Sequence, residues 1–229
     1  MIVKFSNYFL LSVCSVNTDV VFVLDSSGSI NYDDPTNYDK IKNFTQAFID
    51  ALIDENSEGE GDRIGVVLYG TLSEVYLPLN ESTNFDKRSL LKLIDRIPYL
   101  SEWTNTADGL CRAIEQPWRD SLSVLRLVIT LTDGMSNRDS PICGNTTTAA
   151  SLVHATDPPL LSYAIGVANA NADELLTIAT TPELIDHLDS FNTDLLTAAQ
   201  EARSYQICFT GRKFIYAIIT CFVSLNGNY

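Results

Sequence analysis

Hydrophobic and polar positions run along this chain in blocks that change period, and each change marks a new element. The segment Asp19–Asp25 is a continuous run of branched and aromatic apolar residues closed by an acid at each end. A run without alternation suits a strand buried on both faces of a parallel sheet. From Pro35 the period shifts. Ile41, Phe44, Phe48 and Leu52 fall near 3.6 spacing on one face of a helix. Pro35 suits its first turn, and Asp33 and Asp34 suit its dipole. A polar loop over 55–62 leads to Arg63–Tyr69, which reads as a second strand. Leu72–Leu79 follows after only Gly70 and Thr71, too short for a parallel crossover. That pair is expected as an antiparallel hairpin, with its second strand at a sheet edge, where Pro78 is tolerable.

The alternation continues. Helical patterns cover Asp86–Ile97 and Ala107–Trp118, and Val124–Leu131 is the most apolar strand. Thr146–Ala155 reads as helix, Leu160–Val167 as strand, Ala172–Ala179 as a short helix and Leu184–Leu188 as a short strand. A last helix is expected over Thr193–Tyr205, with Leu195, Leu196, Ala199 and Ala202 inward. The expected class is therefore α/β: a doubly wound, Rossmann-like, mostly parallel sheet with one antiparallel edge strand and helices on both faces. There is no internal repeat and no linker between separate domains.

With 229 residues, 45% of them hydrophobic, the chain has room for one well-buried domain. A formal net charge of −14 argues against nucleic acid as a partner and against direct binding to anionic membranes. An acidic protein that binds an acidic partner needs a cation between them. Five cysteines, Cys14, Cys111, Cys143, Cys208 and Cys221, include no CxxC pair, which disfavours structural zinc. Sequons at Asn43, Asn80 and Asn145 point, with the scattered cysteines, to a secreted or cell-surface setting. Residues 1–16, with Lys4 and the apolar stretch Tyr8–Val13, read as a signal-like leader or an undefined start. The apolar stretch Phe214–Leu225 falls short of the roughly 20 residues needed to span a bilayer. The domain is expected over 17–208, with 209–229 an unassigned tail.

Three short motifs carry chemistry: Asp25-x-Ser27-x-Ser29, Thr104-Asn105-Thr106 and Thr132-Asp133-Gly134. Alone, Asp25 reads as well as a cap and Asp133-Gly134 as a turn. On the expected fold, however, the first and third follow parallel strands, and the second enters a helix on the same rim. Open α/β sheets place their sites at that rim. Carboxylates and hydroxyls together are hard oxygen donors of the kind Mg²⁺ takes. Enzyme readings lack support: His154 and His187 sit in no hydrolase or metalloprotease context, and no glycine-rich dinucleotide loop is present.

In these three motifs, and in its order of elements, the chain resembles the von Willebrand factor A domain, the I domain of integrins, over about Asp19 to Tyr205. The resemblance implies a metal-ion-dependent adhesion site with Asp25, Ser27, Ser29, Thr104 and Asp133 as ligands. The cation would be Mg²⁺, or Mn²⁺ or Ca²⁺ in its place. It implies divalent-metal-dependent adhesion to an extracellular protein, such as collagen or another matrix protein, through an acidic residue of the partner. The alternatives are a matrix-assembly module without metal dependence and an intracellular scaffold subunit. The family often has small residues before its Thr-x-Thr segment, where this chain has Ser101-Glu102-Trp103. Glu102, Trp103 and Thr106 are therefore assigned to the ligand-binding rim, Thr106 in a supporting place. Trp103 either faces a partner or packs against the sheet edge, and packing is the first expectation. The fold brings the chain ends together, so a Cys14–Cys208 bridge would close the domain, as in several extracellular members. A Cys111–Cys143 bridge would stiffen the rim. The alternative for both is buried or free thiols, and cleavage of residues 1–16 would remove Cys14. In the family, ligand binding can be coupled to movement of the last helix, here 193–205.

Overall fold

The computed structural model describes residues 17–53, 61–121, 124–134 and 136–188. The expected helix over 193–205, its coupling to ligand, the leader, the tail, Cys14 and Cys208 lie outside the described residues. Along the chain run β1 (Asn17–Asp25), α1 (Asn37–Leu52), β2 (Arg63–Tyr69), β3 (Ser73–Leu77), α2 (Lys87–Asp95), α3 (Thr106–Ile114), β4 (Val124–Thr132), α4 (Thr146–His154), β5 (Leu161–Gly166), α5 (Ala172–Ile178) and β6 (Ile185–His187). The strands form one sheet in the order β3-β2-β1-β4-β5-β6. All neighbours pair in parallel except β2 with β3, which form the antiparallel edge.

Strand β1 lies inside the sheet, between β2 and β4. Its apolar run has no alternation because both faces are covered. Val20, Phe22 and Leu24 pack toward α1 and α2 with Ile41, Phe48 and Ile94. Val21 and Val23 pack on the other face with Leu110, Ala113 and Ala149 of α3 and α4. Phe22 meets Phe48 edge-on at 5.5 Å between ring centroids, a preferred aromatic geometry. Full burial of such side chains is worth about 1.5–3 kcal/mol each, which makes β1 the spine of the domain.

Helix α2 is shorter than the expected Asp86–Ile97, and the boundaries of α1 and α3 differ from the sequence expectation for local reasons. Helix α1 starts at Asn37 rather than Pro35. The Asp34 carboxylate accepts from the Thr36 N–H at 2.8 Å and from its hydroxyl at 2.7 Å, and this Asx turn holds the chain out of the helix. Helix α3 runs from Thr106 to Ile114 rather than 107–118. Asn105 caps it by accepting from the Asp108 N–H at 3.1 Å. Pro117 cannot continue a helix, and Trp118 folds back so that its indole N–H donates to the Ala113 carbonyl at 2.9 Å.

The amino end of β1 is pinned by charge. Asp19 is fully buried, and its carboxylate accepts from Arg63 Nε and Arg119 Nε, each at 2.9 Å, and from the Arg119 N–H at 3.0 Å. The arginines reach onward to the carbonyls of Pro117 and Gly61. Burial by itself would raise the Asp19 carboxyl. The hydrogen bonds and charges of Arg63 and Arg119 outweigh it and hold the group below the ordinary value of 3.8. A depressed folded value contributes stability above the unfolded value and loses it as pH falls through the folded one. Asp19→Asn leaves two half-buried guanidinium groups without their anion, and because water still reaches them the expected cost at pH 7 is toward the lower end for such a loss, about 3 kcal/mol. Thermal melts from pH 7 down to 3 should show the gap to wild type narrowing below the ordinary carboxylate value. A gap that stays constant with pH would sink this account.

Candidate metal centre

The loops that follow β1 and β4 leave the sheet at the same edge, because the two strands are parallel neighbours. The chain reaches β2 on one side of β1 and, later, β4 on the other, so this is a switch point in strand order. Asp25 is the last residue of β1 and is fully buried. Its Oδ1 accepts from the Ser27 N–H at 2.9 Å, which folds the next residues into a tight turn. The Ser27 and Ser29 hydroxyls lie 3.1 Å apart within that turn. The other oxygen, Oδ2, accepts from the Thr132 hydroxyl at 2.8 Å and the Tyr69 hydroxyl at 3.1 Å. The last residues of β2 and β4 thus grip the last residue of β1.

Asp133 follows β4 and is 5% exposed. Burial comes first, and the charge of Asp133 second, in pushing the Asp25 carboxyl well above the usual carboxylate range. The hydrogen bonds from Ser27 and Thr132 oppose that shift without overcoming it. The turn that re-aims the chain after Asp133 needs glycine. Gly134 has φ +64°, and a Cβ there would stand 3.0 Å from the Asn171 backbone. Its N–H donates to the Thr132 hydroxyl oxygen at 2.9 Å, so the hydroxyl that serves Asp25 is itself oriented.

The third motif joins from the loop before α3. Ser101 donates its N–H to the Ser26 carbonyl at 2.9 Å, and Gly28 donates to the Glu102 carbonyl at 2.8 Å. Thr104 is 2% exposed. Its N–H donates to Asn137 Oδ1 at 3.1 Å, and its carbonyl accepts from the Asn137 N–H at 3.0 Å. The loop carrying Thr104 and the loop leaving Asp133 are thereby laced together. Gly109 lets α3 come this close to the sheet: a Cβ there would meet the Tyr69 ring at 2.8 Å and Val23 at 2.9 Å.

Thr106 is fully buried, with its Oγ1 3.5 Å from the Tyr69 hydroxyl, so it does not face a partner at the rim but lies beneath it, where a supporting residue would. Trp103 does not pack on the sheet edge. It is 57% exposed, with the Arg138 guanidinium 4.8 Å above its ring centroid. Glu102 accepts from the Thr71 N–H at 3.0 Å, tying the rim to the β2–β3 hairpin. Cys111 and Cys143 form a disulfide with a Cα–Cα distance of 6.2 Å. The sequon residues Asn43, Asn80 and Asn145 are exposed. Sequence reasoning did not single out Tyr69 or the hydroxyl of Thr132. Tyr69 stands inside an apolar strand pattern, where a hydroxyl is indistinguishable from core, and Thr132 enters its motif only as the neighbour of Asp133.

Asp133 lies within electrostatic reach of Asp25, the Ser27 and Ser29 hydroxyls share the turn that Asp25 folds, and Thr104 stands in the loop laced to the one leaving Asp133; all five side chains offer oxygen donors. That set fits a hard divalent cation. Among the described residues no group of three or more His, Cys, Asp or Glu could hold a metal, so any cation at this edge would need the hydroxyls as well as the acids.

Known proteins share this fold. Residues 19–205 match the family model of the von Willebrand factor type A domain. Matrilin-1 of Mus musculus is 31% identical over 207 residues, covering 85% of this chain and 38% of matrilin-1. The collagen alpha-6(VI) chain of Mus musculus is 26% identical over 201 residues, covering 84% of this chain and 8% of the collagen. Among solved structures, proximal thread matrix protein 1 from the mussel byssus, with a zinc-occupied MIDAS motif, superposes with TM-score 0.67 at 26% identity. It covers 83% of this chain and 46% of that one.

The close approach of α3 gives a direct check on the scaffold. Gly109→Ala is expected to destabilise the fold by about 1–3 kcal/mol through overpacking against Tyr69 and Val23. Pairing it with Val23→Ala, which opens space at the contact, should recover part of the loss. Denaturant melts of the single and double variants read this out, and strictly additive losses would refute it.

Proposed function

The chain belongs to the von Willebrand factor type A family, and we propose that it is a divalent-cation-dependent adhesion domain of the extracellular matrix, spanning about 17–208. In this reading Asp25, Ser27, Ser29, Thr104 and Asp133 hold Mg²⁺, with Mn²⁺ or Ca²⁺ able to replace it. When bound, the ion supplies a Lewis-acidic position for a carboxylate of a matrix protein such as collagen. Two acids roughly neutralise the ion, and the hydroxyls contribute donors without adding charge. On a chain of net charge −14, a cation is what lets an acidic partner approach.

The observation that carries this reading is the pairing of two acids in one place. Asp25 is fully buried and Asp133 nearly so, and they lie within electrostatic reach of each other. Burying like charges together is costly unless a cation joins them. The matrix names of the relatives support an extracellular setting, and the zinc-occupied motif of the mussel protein supports a divalent ion in this kind of site. The chain spans well under half the length of those relatives, so the activity of a whole matrix protein is not carried over with the domain. Binding, not catalysis, is the role these residues fit. Asp25 is engaged by the Ser27 N–H and the Thr132 hydroxyl, Ser27 and Ser29 by one another, and the exposed groups around them, Glu102 and Trp103, engage Thr71 and Arg138.

Titration calorimetry with Mg²⁺ should give saturable binding to the wild-type chain and none to Asp133→Ala. Adhesion to immobilised collagen or matrix extract should vanish in chelator and return with excess Mg²⁺. Adhesion that ignores chelator would favour metal-independent matrix assembly, and absence of Mg²⁺ binding would remove the mechanism.

A further inference from the structure

Asp108, in the first turn of α3, is the most heavily used carboxylate near the rim that the adhesion site does not claim. It is 4% exposed. Its Oδ2 accepts from the Ser73 N–H at 2.8 Å and the Ser73 hydroxyl at 2.6 Å, and its Oδ1 accepts from the Ser140 hydroxyl at 2.8 Å. All these groups donate, so an ionised carboxylate satisfies them together and a neutral amide does not. Those hydrogen bonds outweigh burial and hold the carboxyl below its ordinary value.

Asn105 works beside it. Its Oδ1 accepts from the Asp108 N–H at 3.1 Å, and its Nδ2 donates to the Thr71 and Asp139 carbonyls, each at 3.2 Å. The Ser140 hydroxyl in turn accepts from the N–H groups of Ile142 and Cys143, each at 3.2 Å. Ser140 and Gly144 also exchange backbone hydrogen bonds. The turn over 140–144 is therefore a closed unit seated on Asp108. One helical turn beyond Asp108, Cys111 joins the same unit covalently through Cys143. Three pieces of chain meet here: the β2–β3 hairpin, the start of α3, and the loop that leaves Asp133.

We propose that Asp108, with Asn105, is a positioning residue that fixes the spacing of Thr104 and Asp133, and that Cys111–Cys143 is the covalent lock of the same clamp. The inference rests on the reading that these two residues hold a cation. The loop leaving Asp133 is fastened to Thr104 through Asn137 and to Asp108 through Ser140, so its path is set at two points soon after the acid. The clamp holds the donors in one arrangement before a cation or partner arrives, and less ordering has to accompany binding.

The test is Mn²⁺ affinity of the full chain, read by the electron paramagnetic resonance of free Mn²⁺ at a temperature where each variant is folded by circular dichroism. Supporting-residue changes around metal sites typically weaken affinity 10–100-fold, and Asp108→Ala is expected in about that range. Asp108→Asn should fall between it and wild type, because the amide oxygen still takes Ser73 but not every donor. Ser140→Ala and the double variant Cys111→Ser/Cys143→Ser should each show a smaller loss, and Arg88→Ala, exposed on α2, none. Should Asp108→Ala not fold, Asp108→Asn and Ser140→Ala carry the test. A purely structural role lowers the melting temperature and leaves the Mn²⁺ affinity of folded protein unchanged; that result overturns the inference. Failure of the wild type to bind Mn²⁺ overturns instead the reading on which it rests.

Discussion

Strand β1 carries a buried carboxylate at each end, and the rest of the domain is arranged around keeping both in a fully covered place. A buried acid must be answered by partners, and the two ends are answered differently. At the amino end, Arg63 and Arg119 bring full positive charge to Asp19. At the carboxyl end, Asp25 receives only hydroxyls and a backbone N–H, and a second acid stands beside it. One strand therefore joins a neutralised anchor to a pole that keeps its negative character. The anchor ties β1 to the start of β2 and to the chain ahead of β4. The pole takes hydroxyls from the far ends of those same strands.

The parallel arrangement makes this polarity useful. Parallel neighbours all deliver their last residues to one edge, so the groups at the ends of β1, β2 and β4 arrive together without a long loop to carry them. Apolar packing on both faces fixes their height relative to one another. The tolerance is small: at Gly109 there is no room even for a methyl group between α3 and the sheet. Rigidity of the scaffold and precision of the edge are thus the same property seen from two sides.

Much of the fold was legible in the sequence because its strands are fully buried and read as unbroken apolar runs. Arg63–Tyr69 was recognisable to the residue, and the short Gly70-Thr71 connection forced the antiparallel edge. The ends of helices were less so, because Asp34, Asn105 and Pro117 set them through side-chain bonds and ring sterics that periodicity does not register. At the candidate site, Asp25, Ser27 and Ser29 stood out because polar residues interrupt an apolar run. Tyr69 did not, because aromatic residues are what a strand core is made of anyway, and Thr132 drew notice only as the neighbour of Asp133. Asp108 was hidden by the opposite confusion: an acid in a first helical turn is the ordinary complement to the helix dipole. Trp103 went against expectation because its partner, Arg138, sits in a different loop and holds the ring at the surface.

The disulfide has a mechanical consequence. Cys111 and Cys143 are 32 residues apart in sequence and enclose the whole of β4 and the Asp133 turn in a covalent ring. Tension entering at the two ends of the chain passes from one sulfur to the other and bypasses everything inside that ring. At about 3.4 Å per residue, roughly 110 Å of chain is withheld from stretching. A domain pulled within a fibrous network would then yield among the strands outside that ring, while β4 and the acid that follows it stay looped.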